Sequence, residues 1–255
     1  MSRLCVVTSN VRQMDGEDGP QSWEFRKDIL VDAICRRRPD LLGTQEIFQE
    51  QATHLLAGMP AMKCFGKGRY GDDRDKHNSI FYDANRLSLK QSGDLWISRT
   101  PDVPGSSDWS ITRPRMITWG LLVDENGREV FTLNTHFPYG KTADEARYQT
   151  ARLIIEKLAT LPKDQPFVLT ADANAPVGGD VYRCLTEHLE DAWVTAAKRE
   201  GPEGTVHGFG RYDGGRIDWI FYRNMKLVHS IETVTDKAGD TYPSDHFPVC
   251  AELEW

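Results

Sequence analysis

A chain of 255 residues is long enough to bury one large hydrophobic core, or two small ones at most. Its composition, 39% hydrophobic and 27% charged, is ordinary for a soluble globular protein, and no stretch approaches the roughly 20 apolar residues of a membrane helix. The net charge of −7 argues against broad, non-specific binding along duplex DNA, which relies on clustered Lys and Arg.

The cysteine pattern favours a reducing compartment. They are five in number, none forms a CxxC pair, and most lie in apolar runs, as small buried hydrophobes do. Disulfides and a cysteine-zinc site are therefore not expected, and the start of the chain has no signal-peptide pattern. We expect a cytoplasmic protein with no membrane association and no obligate protein partner.

Short apolar runs bounded by turn residues recur along the chain and predict β-strands. The predicted strands cover residues 4–10, 40–46, 78–83, 116–124, 129–136, 166–172, 216–222 and 247–253. Helical spacing of apolar residues predicts helices after Ser22, over 46–58, over 142–162 and after Asp180. The third of these opens with a capping box from Thr142 to Glu145.

These elements predict a mixed α/β architecture. The chain has no internal repeat, low-complexity tract or Pro/Ser-rich linker, so we expect a single domain over residues 1–255. Two sheets with helices outside them would account for the predicted elements. The irregular stretches 66–78 and 98–115 are longer than ordinary connections, which favours function or mobility.

The predicted strands end in polar side chains. Strands of similar orientation present their carboxyl ends along one rim of a sheet, so these endings would gather in one place. They are Asn10, Glu46, Asn134, His136, Asp172 and Asn174, and Asp218, Asp245 and His246 would complete the cluster. The alternative for each ending is a turn-forming residue with no further role.

Asp218 lies within an apolar run, where a carboxylate without a partner would be costly. The partner would be a metal, a cation or an imidazole. His246, directly after Asp245, suits a base that is oriented by an aspartate. A salt bridge from Asp218 to Arg216 and a purely structural His246 are the alternatives.

Oxygen donors from Asn10, Glu46 and Asp245, without cysteine, favour a hard cation such as Mg²⁺, Mn²⁺ or Ca²⁺ over Zn²⁺. Mg²⁺ takes one or two carboxylates together with phosphate oxygens. The donor set therefore suits the attack of water on phosphorus, in which the protein positions the groups and neutralises charge.

Six motifs occur in an order that resembles the endonuclease/exonuclease/phosphatase superfamily. They are TSNVR (8–12), GTQEI (43–47), NTHF (134–137), ADANAP (171–176), GRIDWIF (215–221) and SDHFPV (244–249). The resemblance implies a four-layer α/β sandwich of two packed mixed sheets flanked by helices. It also implies Mg²⁺-dependent hydrolysis of a phosphoester.

Carried over motif by motif, the resemblance implies roles for individual residues. Glu46 would be the principal Mg²⁺ ligand, with Asn10 and Asp245 beside it, and Mn²⁺ would substitute for Mg²⁺. His246 paired with Asp218 would handle the attacking water, and whether Asp172 or His246 is the base stays open.

Further residues would contact the substrate. Asp172 and Asn174 would orient the nucleophile and the scissile phosphate, while His136 and Asn134 would contact phosphate oxygens or the leaving group. Arg115, in RPRMITW, resembles an arginine of the deoxyribonuclease-like branch. Arg113 is a possible substitute for Arg115. The remaining predicted substrate contacts are Tyr139, His77 and Asn78, and for Tyr139 the alternative is a packing role.

Two positions depart from the family pattern. The usual Gly-Asp-x-Asn reads Ala171-Asp172-Ala173-Asn174, and Lys76 stands near the place where many relatives carry a Glu. A lysine there indicates a different contact with the substrate.

We therefore predict a Mg²⁺-dependent phosphoesterase, foremost a phosphodiesterase of the nuclease type, with nucleic acid among its substrates. The alternatives are a phosphomonoesterase acting on a sugar, inositol or nucleotide phosphate, and a non-catalytic phosphate-binding module. A zinc hydrolase built on His136 and His246 is a third alternative, but the chain lacks an HExxH motif.

Overall fold

The computed structural model describes residues 3–255. Its strands, numbered in chain order, are β1 (Arg3–Asn10), β2 (Leu41–Gln45), β3 (Met62–Phe65), β4 (Ile80–Asp83), β5 (Leu87–Trp96), β6 (Met116–Asp124), β7 (Glu129–His136), β8 (Phe167–Asp172), β9 (Glu190–Asp191), β10 (Lys198–Glu200), β11 (Asp218–Arg223), β12 (Leu227–Thr233) and β13 (Val249–Glu254). Its α-helices are α1 (Trp23–Cys35), α2 (Gln49–Gly58), α3 (Asp144–Ala159), α4 (Asp180–Thr186) and α5 (Ala192–Thr195).

The strands form two mixed sheets. The first has seven strands in the order β10-β12-β13-β1-β2-β4-β3, and the second has six in the order β5-β6-β7-β8-β11-β9. The central pairs β1–β2 and β7–β8 are parallel, while β11 runs antiparallel to β8. The carboxyl ends of β1, β2, β7 and β8 and the start of β11 can therefore lie at one rim.

Three groups of buried residues show the layers. One lies between the sheets and includes Val6, Val168 and Ile220. The second packs the outer face of β7, β8 and β11 against α3 and α4, and the third packs the outer face of β1 and β2 against α1 and α2. The predicted four-layer α/β sandwich is confirmed, whereas the domain extent of 1–255 stays a prediction.

The eight predicted strands are all present, with boundaries that shift by at most two residues. The prediction missed β3, β5, β9, β10 and β12. Strand β5 (LSLKQSGDLW) is partly exposed and carries polar residues in its middle, so neither alternation nor an apolar run marks it.

The predicted capping box at Thr142 is wrong. Helix α3 begins one residue before Glu145, its N-cap is Ala143, and no side chain caps it. Among residues 3–255, no helix combines the length and the apolar character that crossing a bilayer requires.

The two sheets approach closely just below the rim. Asn134 of β7 donates hydrogen bonds to the carbonyl oxygens of Thr44 (2.7 Å) and Ser79 (3.1 Å), and its Oδ1 accepts from Gln45 Nε2 (2.7 Å) and Thr170 Oγ1 (3.0 Å). A fully buried amide thereby joins β2, β7 and β8.

Candidate active site

The rim gathers the polar strand endings. Asn10 lies opposite Gln45 in the β1–β2 register, so Glu46 follows directly beside it. His136 lies opposite Asp172 in the β7–β8 register, and Asp172 lies opposite Asp218 at the start of β11. Strand register alone thus places two carboxylates and an imidazole next to one another.

Asp218 and His246 form a buried pair. Asp218 Oδ2 lies 2.8 Å from His246 Nδ1, and the Asp218 backbone N–H donates to Thr205 Oγ1 at 3.1 Å. Burial by itself would lower the pKa of His246, but Asp218 and Asp172 raise it to about 10. The alternative salt bridge does not form, because Arg216 pairs with Asp191 at 2.8 Å.

Asp172 lies at the centre of the site. Its Oδ2 accepts a hydrogen bond from Asn10 Nδ2 (2.8 Å), its Oδ1 accepts from the Asn174 backbone N–H (3.1 Å), and His136 Nε2 lies 3.3 Å from Oδ2. Burial, together with the charge of neighbouring Asp218, raises the pKa of Asp172 to about 7. A carboxyl group with a pKa near 7 can accept a proton at neutral pH.

His136 is buried and neutral. Burial and the charge of Arg115 keep the pKa of His136 well below 6.5. Its Nδ1 has no hydrogen-bond partner in the described part of the chain and lies 4.0 Å from Glu46 Oε1. A neutral imidazole with a free nitrogen facing the site can bind a substrate group.

Glu46 adopts a left-handed backbone conformation, with φ of 62°, immediately after β2. A non-glycine residue in this region costs free energy and is often found at functional sites. Burial would raise the pKa of Glu46, but Lys76, Arg115 and Arg12 lower it to about 2. The carboxylate is therefore ionised at neutral pH and available as a ligand.

Asp245 and Asn10 lie on neighbouring segments. Ser244 Oγ donates to the Asn10 carbonyl oxygen (2.6 Å), and Arg12 Nη1 lies 3.6 Å from Asp245 Oδ2. Fully buried Arg26 donates to the carbonyl oxygens of Arg12 (2.7 Å) and Pro243 (3.1 Å), and so joins the two segments.

Two predicted substrate or phosphate contacts have side-chain bonds to the protein. All the side-chain bonds of Asn134 described above are to protein atoms, which leaves it no free donor for a phosphate oxygen. Asn78 Nδ2 donates to the Met116 carbonyl oxygen at 2.6 Å, so placement favours a positioning role for Asn134 and Asn78. His77 differs: its backbone N–H donates to the Ile47 carbonyl oxygen at 2.7 Å and its Nδ1 lies 3.3 Å from the Gly66 carbonyl oxygen. Its buried Nε2 has no hydrogen-bond partner in the described part of the chain, so its substrate contact stays a prediction.

Asn174 and Tyr139 face the solvent side of the rim. Asn174 has φ of 48°, and its Nδ2 donates to the Phe137 carbonyl oxygen at 3.1 Å. Together with Tyr139, Lys141 and Ile217 it lines a cavity of about 460 Å³. Tyr139 is 79% exposed, so packing does not account for it.

Cations surround the Glu46 side of the site. Lys76 Nζ lies 3.2 Å from Glu46 Oε2 and also contacts Gln13 Oε1, and the charges of Arg69 and Arg115 both act on Glu46. Arg113, the predicted substitute for Arg115, is exposed. Lys76 was recognised from its departure from the family pattern, but no sequence signal marked Arg69, which lies within the irregular stretch 66–78.

The donor set fits a hard divalent cation. Of the donors Glu46, Asn10 and Asp245, Glu46 is ionised and none is a thiolate. Arg12 connects them: its backbone N–H donates to Asn10 Oδ1 at 2.9 Å, its Nη1 lies 3.6 Å from Asp245 Oδ2, and its charge lowers the pKa of Glu46.

A second group is more compact. Asp172, Asp218 and His246 each offer one ligand atom, and among residues 3–255 these three form the group of acidic and imidazole side chains whose ligand atoms all lie within 4.8 Å of one another. Because the pKa of Asp172 is near 7 and His246 is hydrogen-bonded to Asp218, we take that trio as the proton-handling group.

Comparisons with known proteins identify the family of the chain. A sequence model of the Endonuclease/Exonuclease/phosphatase family matches residues 7–246. An endonuclease/exonuclease/phosphatase from Bacteroides vulgatus has a similar solved structure, with 31% identity and a TM-score of 0.94 over 100% of this chain and 99% of that chain. A mannosyl-6-phosphatase from Bacteroides thetaiotaomicron has 30% identity and a TM-score of 0.91 over 99% and 100% of the two chains.

A curated relative is more distant. Nocturnin from Drosophila melanogaster is 24% identical over 281 residues, which cover 91% of this chain and 42% of that protein. The chain therefore spans less than half the length of this relative.

Proposed function

Because the chain belongs to the endonuclease/exonuclease/phosphatase family, whose members are metal-dependent phosphoester hydrolases, we propose that it cleaves a P–O bond by the attack of water on phosphorus. The observation that carries the proposal is the buried trio of Asp172, Asp218 and His246 beside the ionised Glu46. A water held there would have a proton acceptor on one side and a ligand for a divalent cation on the other.

The residues divide into two groups. Glu46, with Asn10 and Asp245, would hold Mg²⁺, and Mn²⁺ would substitute; the ion would neutralise charge on the phosphoryl oxygens. Asp172 would accept the proton of the attacking water, since its pKa lies near 7. His246, kept protonated by Asp218, would donate to a phosphoryl oxygen, and Asn174 and His136 would hold the phosphoryl group.

The type of ester has two candidates. The sequence favours a phosphodiester, with nucleic acid among the substrates. The similarity to a mannosyl-6-phosphatase, over nearly the whole of both chains, favours a phosphomonoester of a sugar. The cytoplasmic location also stays a prediction, and it rests on the cysteine pattern.

The test compares bis-p-nitrophenyl phosphate with p-nitrophenyl phosphate in Mg²⁺, Mn²⁺, Zn²⁺ or EDTA. We expect hydrolysis in Mg²⁺ and Mn²⁺ that EDTA abolishes, and loss of hydrolysis in His246→Ala. Full activity with Zn²⁺ alone would support the zinc alternative. A protein that cleaves no phosphoester with any metal, across a panel extended to sugar phosphates and oligonucleotides, would support the non-catalytic alternative.

A further inference from the structure

Two arginine side chains beside the site lack hydrogen-bond acceptors in the part of the chain that the structure describes. Among residues 3–255, Nη1 of Arg115 is buried and has no hydrogen-bond partner. The Arg69 side chain is 6% exposed, and its nearest carboxylate oxygen is Asp75 Oδ1, at 3.8 Å. A buried guanidinium without acceptors is costly, so an anion that binds there would relieve the cost.

The backbone holds both arginines firmly in place. Trp96 Nε1 donates to the Arg69 carbonyl oxygen at 2.5 Å, and the Arg69 backbone N–H donates to the Lys76 carbonyl oxygen at 3.1 Å. Arg115 directly precedes β6, and its carbonyl oxygen accepts from the Ile97 backbone N–H at 2.8 Å. Through these bonds both long irregular stretches, 66–78 and 98–115, are attached to the consecutive residues Trp96 and Ile97.

The cluster of Arg69, Lys76 and Arg115 carries excess positive charge. Within 4.0 Å, Lys76 pairs with Glu46 and Arg69 with Asp75, whereas Arg115 has no carboxylate that close in the described part of the chain. The charge of Arg115 also acts on Asp172, which connects the cluster with the proton-handling trio. A divalent ion at Glu46 would raise the excess further.

We propose that Arg69, Lys76 and Arg115 form a recognition site for a terminal phosphate, so that the enzyme prefers phosphomonoesters to phosphodiesters. The inference rests on the proposed function and deepens it. A phosphomonoester carries close to two negative charges at pH 7 and three free oxygens, whereas a diester carries one charge and two free oxygens. Guanidinium groups, which donate in a planar fork, suit the additional oxygen and charge.

The test uses two substrates with the same leaving group, p-nitrophenyl phosphate and methyl p-nitrophenyl phosphate, at saturating Mg²⁺. Each of Arg69→Met and Lys76→Met should lower kcat/KM for the monoester by about tenfold to a hundredfold, the effect of one charge-assisted hydrogen bond. The value for the diester should change much less. The matched control is Arg74→Met, in which the replaced residue lies on the same stretch but is exposed and pairs with Asp72.

A second variant and a binding measurement keep folding and catalysis apart from recognition. Arg69→Lys retains the charge but not the planar fork, so its monoester preference should lie between that of the unaltered protein and that of Arg69→Met. Melting temperatures identify a variant that fails to fold. Calorimetric titration with inorganic phosphate should show binding that Arg69→Met weakens and Arg74→Met preserves.

The outcomes separate the two proposals. If the protein cleaves neither ester but binds phosphate through Arg69 and Lys76, the recognition site stands and the proposed hydrolysis falls. If both esters are cleaved and the variants lower both values of kcat/KM equally, the recognition site is overturned while hydrolysis stands. Failure of the unaltered protein to bind phosphate also overturns the recognition site.

Discussion

Gly43 of β2 lies where the two sheets come closest, three residues before Glu46. A methyl carbon built at Gly43 would lie 2.0 Å from Thr170 Oγ1 and 2.8 Å from Asn134 Oδ1. Both distances are shorter than atoms tolerate, and Thr170 and Asn134 are themselves hydrogen-bonded to each other at 3.0 Å. Gly43→Ala must therefore separate β2 from β8 or break this buried hydrogen bond.

The cost follows from these contacts. Inserting one carbon into a well-packed core typically costs about 1–3 kcal/mol. For a chain of this length, 2 kcal/mol corresponds to a fall in Tm of about 4–8 °C. Because β2 leads directly to Glu46, displacement of the strand should also raise the Mg²⁺ concentration required for half-maximal hydrolysis.

The assay is urea unfolding of Gly43→Ala, Thr170→Ala and the double variant, together with a Mg²⁺ titration of activity. Because Thr170→Ala removes the oxygen that clashes, the double variant should lose less stability than the sum of the two single variants. Gly215→Ala is the control, since nothing lies within 4 Å of the added carbon. Strict additivity, or a Gly43→Ala protein as stable as the parent, would refute the close-approach explanation.

Three further predictions concern the site itself. Asp218→Asn and His246→Ala should each lower kcat by about a hundredfold or more. Because the two residues act as one unit, the double variant should lose little activity beyond the worse single variant. Effects on kcat that multiply in the double variant would contradict this. In EDTA, the contribution of Asp172 and His246 to the free energy of unfolding should fall as the pH rises from about 4 through 7 and on toward 10, because their folded-state pKa values (about 7 and about 10) both exceed the ordinary values and the native protein holds those protons longer. His136, with a lowered pKa, contributes in the opposite direction, so the quantity to measure is the difference between the parent and Asp218→Asn. Asp218→Asn should flatten that profile, since Asp218 raises both pKa values, and parallel profiles from urea unfolding would count against the assignment. Glu46→Gln should raise the Mg²⁺ concentration for half-maximal activity at least about tenfold in a metal titration, and an unchanged midpoint would place the ion elsewhere.

Local sequence pattern was sufficient for the principal strands. Each of the eight predicted strands is a short apolar run that is buried in the structure, and period and composition are local properties. The missed strand β12 alternates only partly between buried and exposed residues, and β9 and β10 have two and three residues. Such strands depend on their neighbours in the sheet, which local pattern does not reveal.

The partners of the site residues could be predicted only in part. The expectation that Asp218 requires a partner follows from the cost of burying a carboxylate, and His246 supplies one to Oδ2, while Oδ1 has no hydrogen-bond partner in the described part of the chain. The use of Asn134 as a bond between sheets could not be predicted, because its acceptors, Thr44 on β2 and Ser79 directly before β4, are far away along the chain. A polar residue at a strand end looks the same in sequence whether it faces the rim or the opposite sheet.

The sequence by itself determined the eight principal strands, the polar residues at their ends and the family to which those motifs belong, because each depends on residues that are close together along the chain. Only the tertiary structure decided which of these residues meet. Parallel and antiparallel register brought His136, Asp172 and Asp218 together at one rim. The packing of the two irregular stretches on Trp96 and Ile97 placed Arg69 near Arg115, and long-range packing of this kind leaves no periodic trace in the sequence.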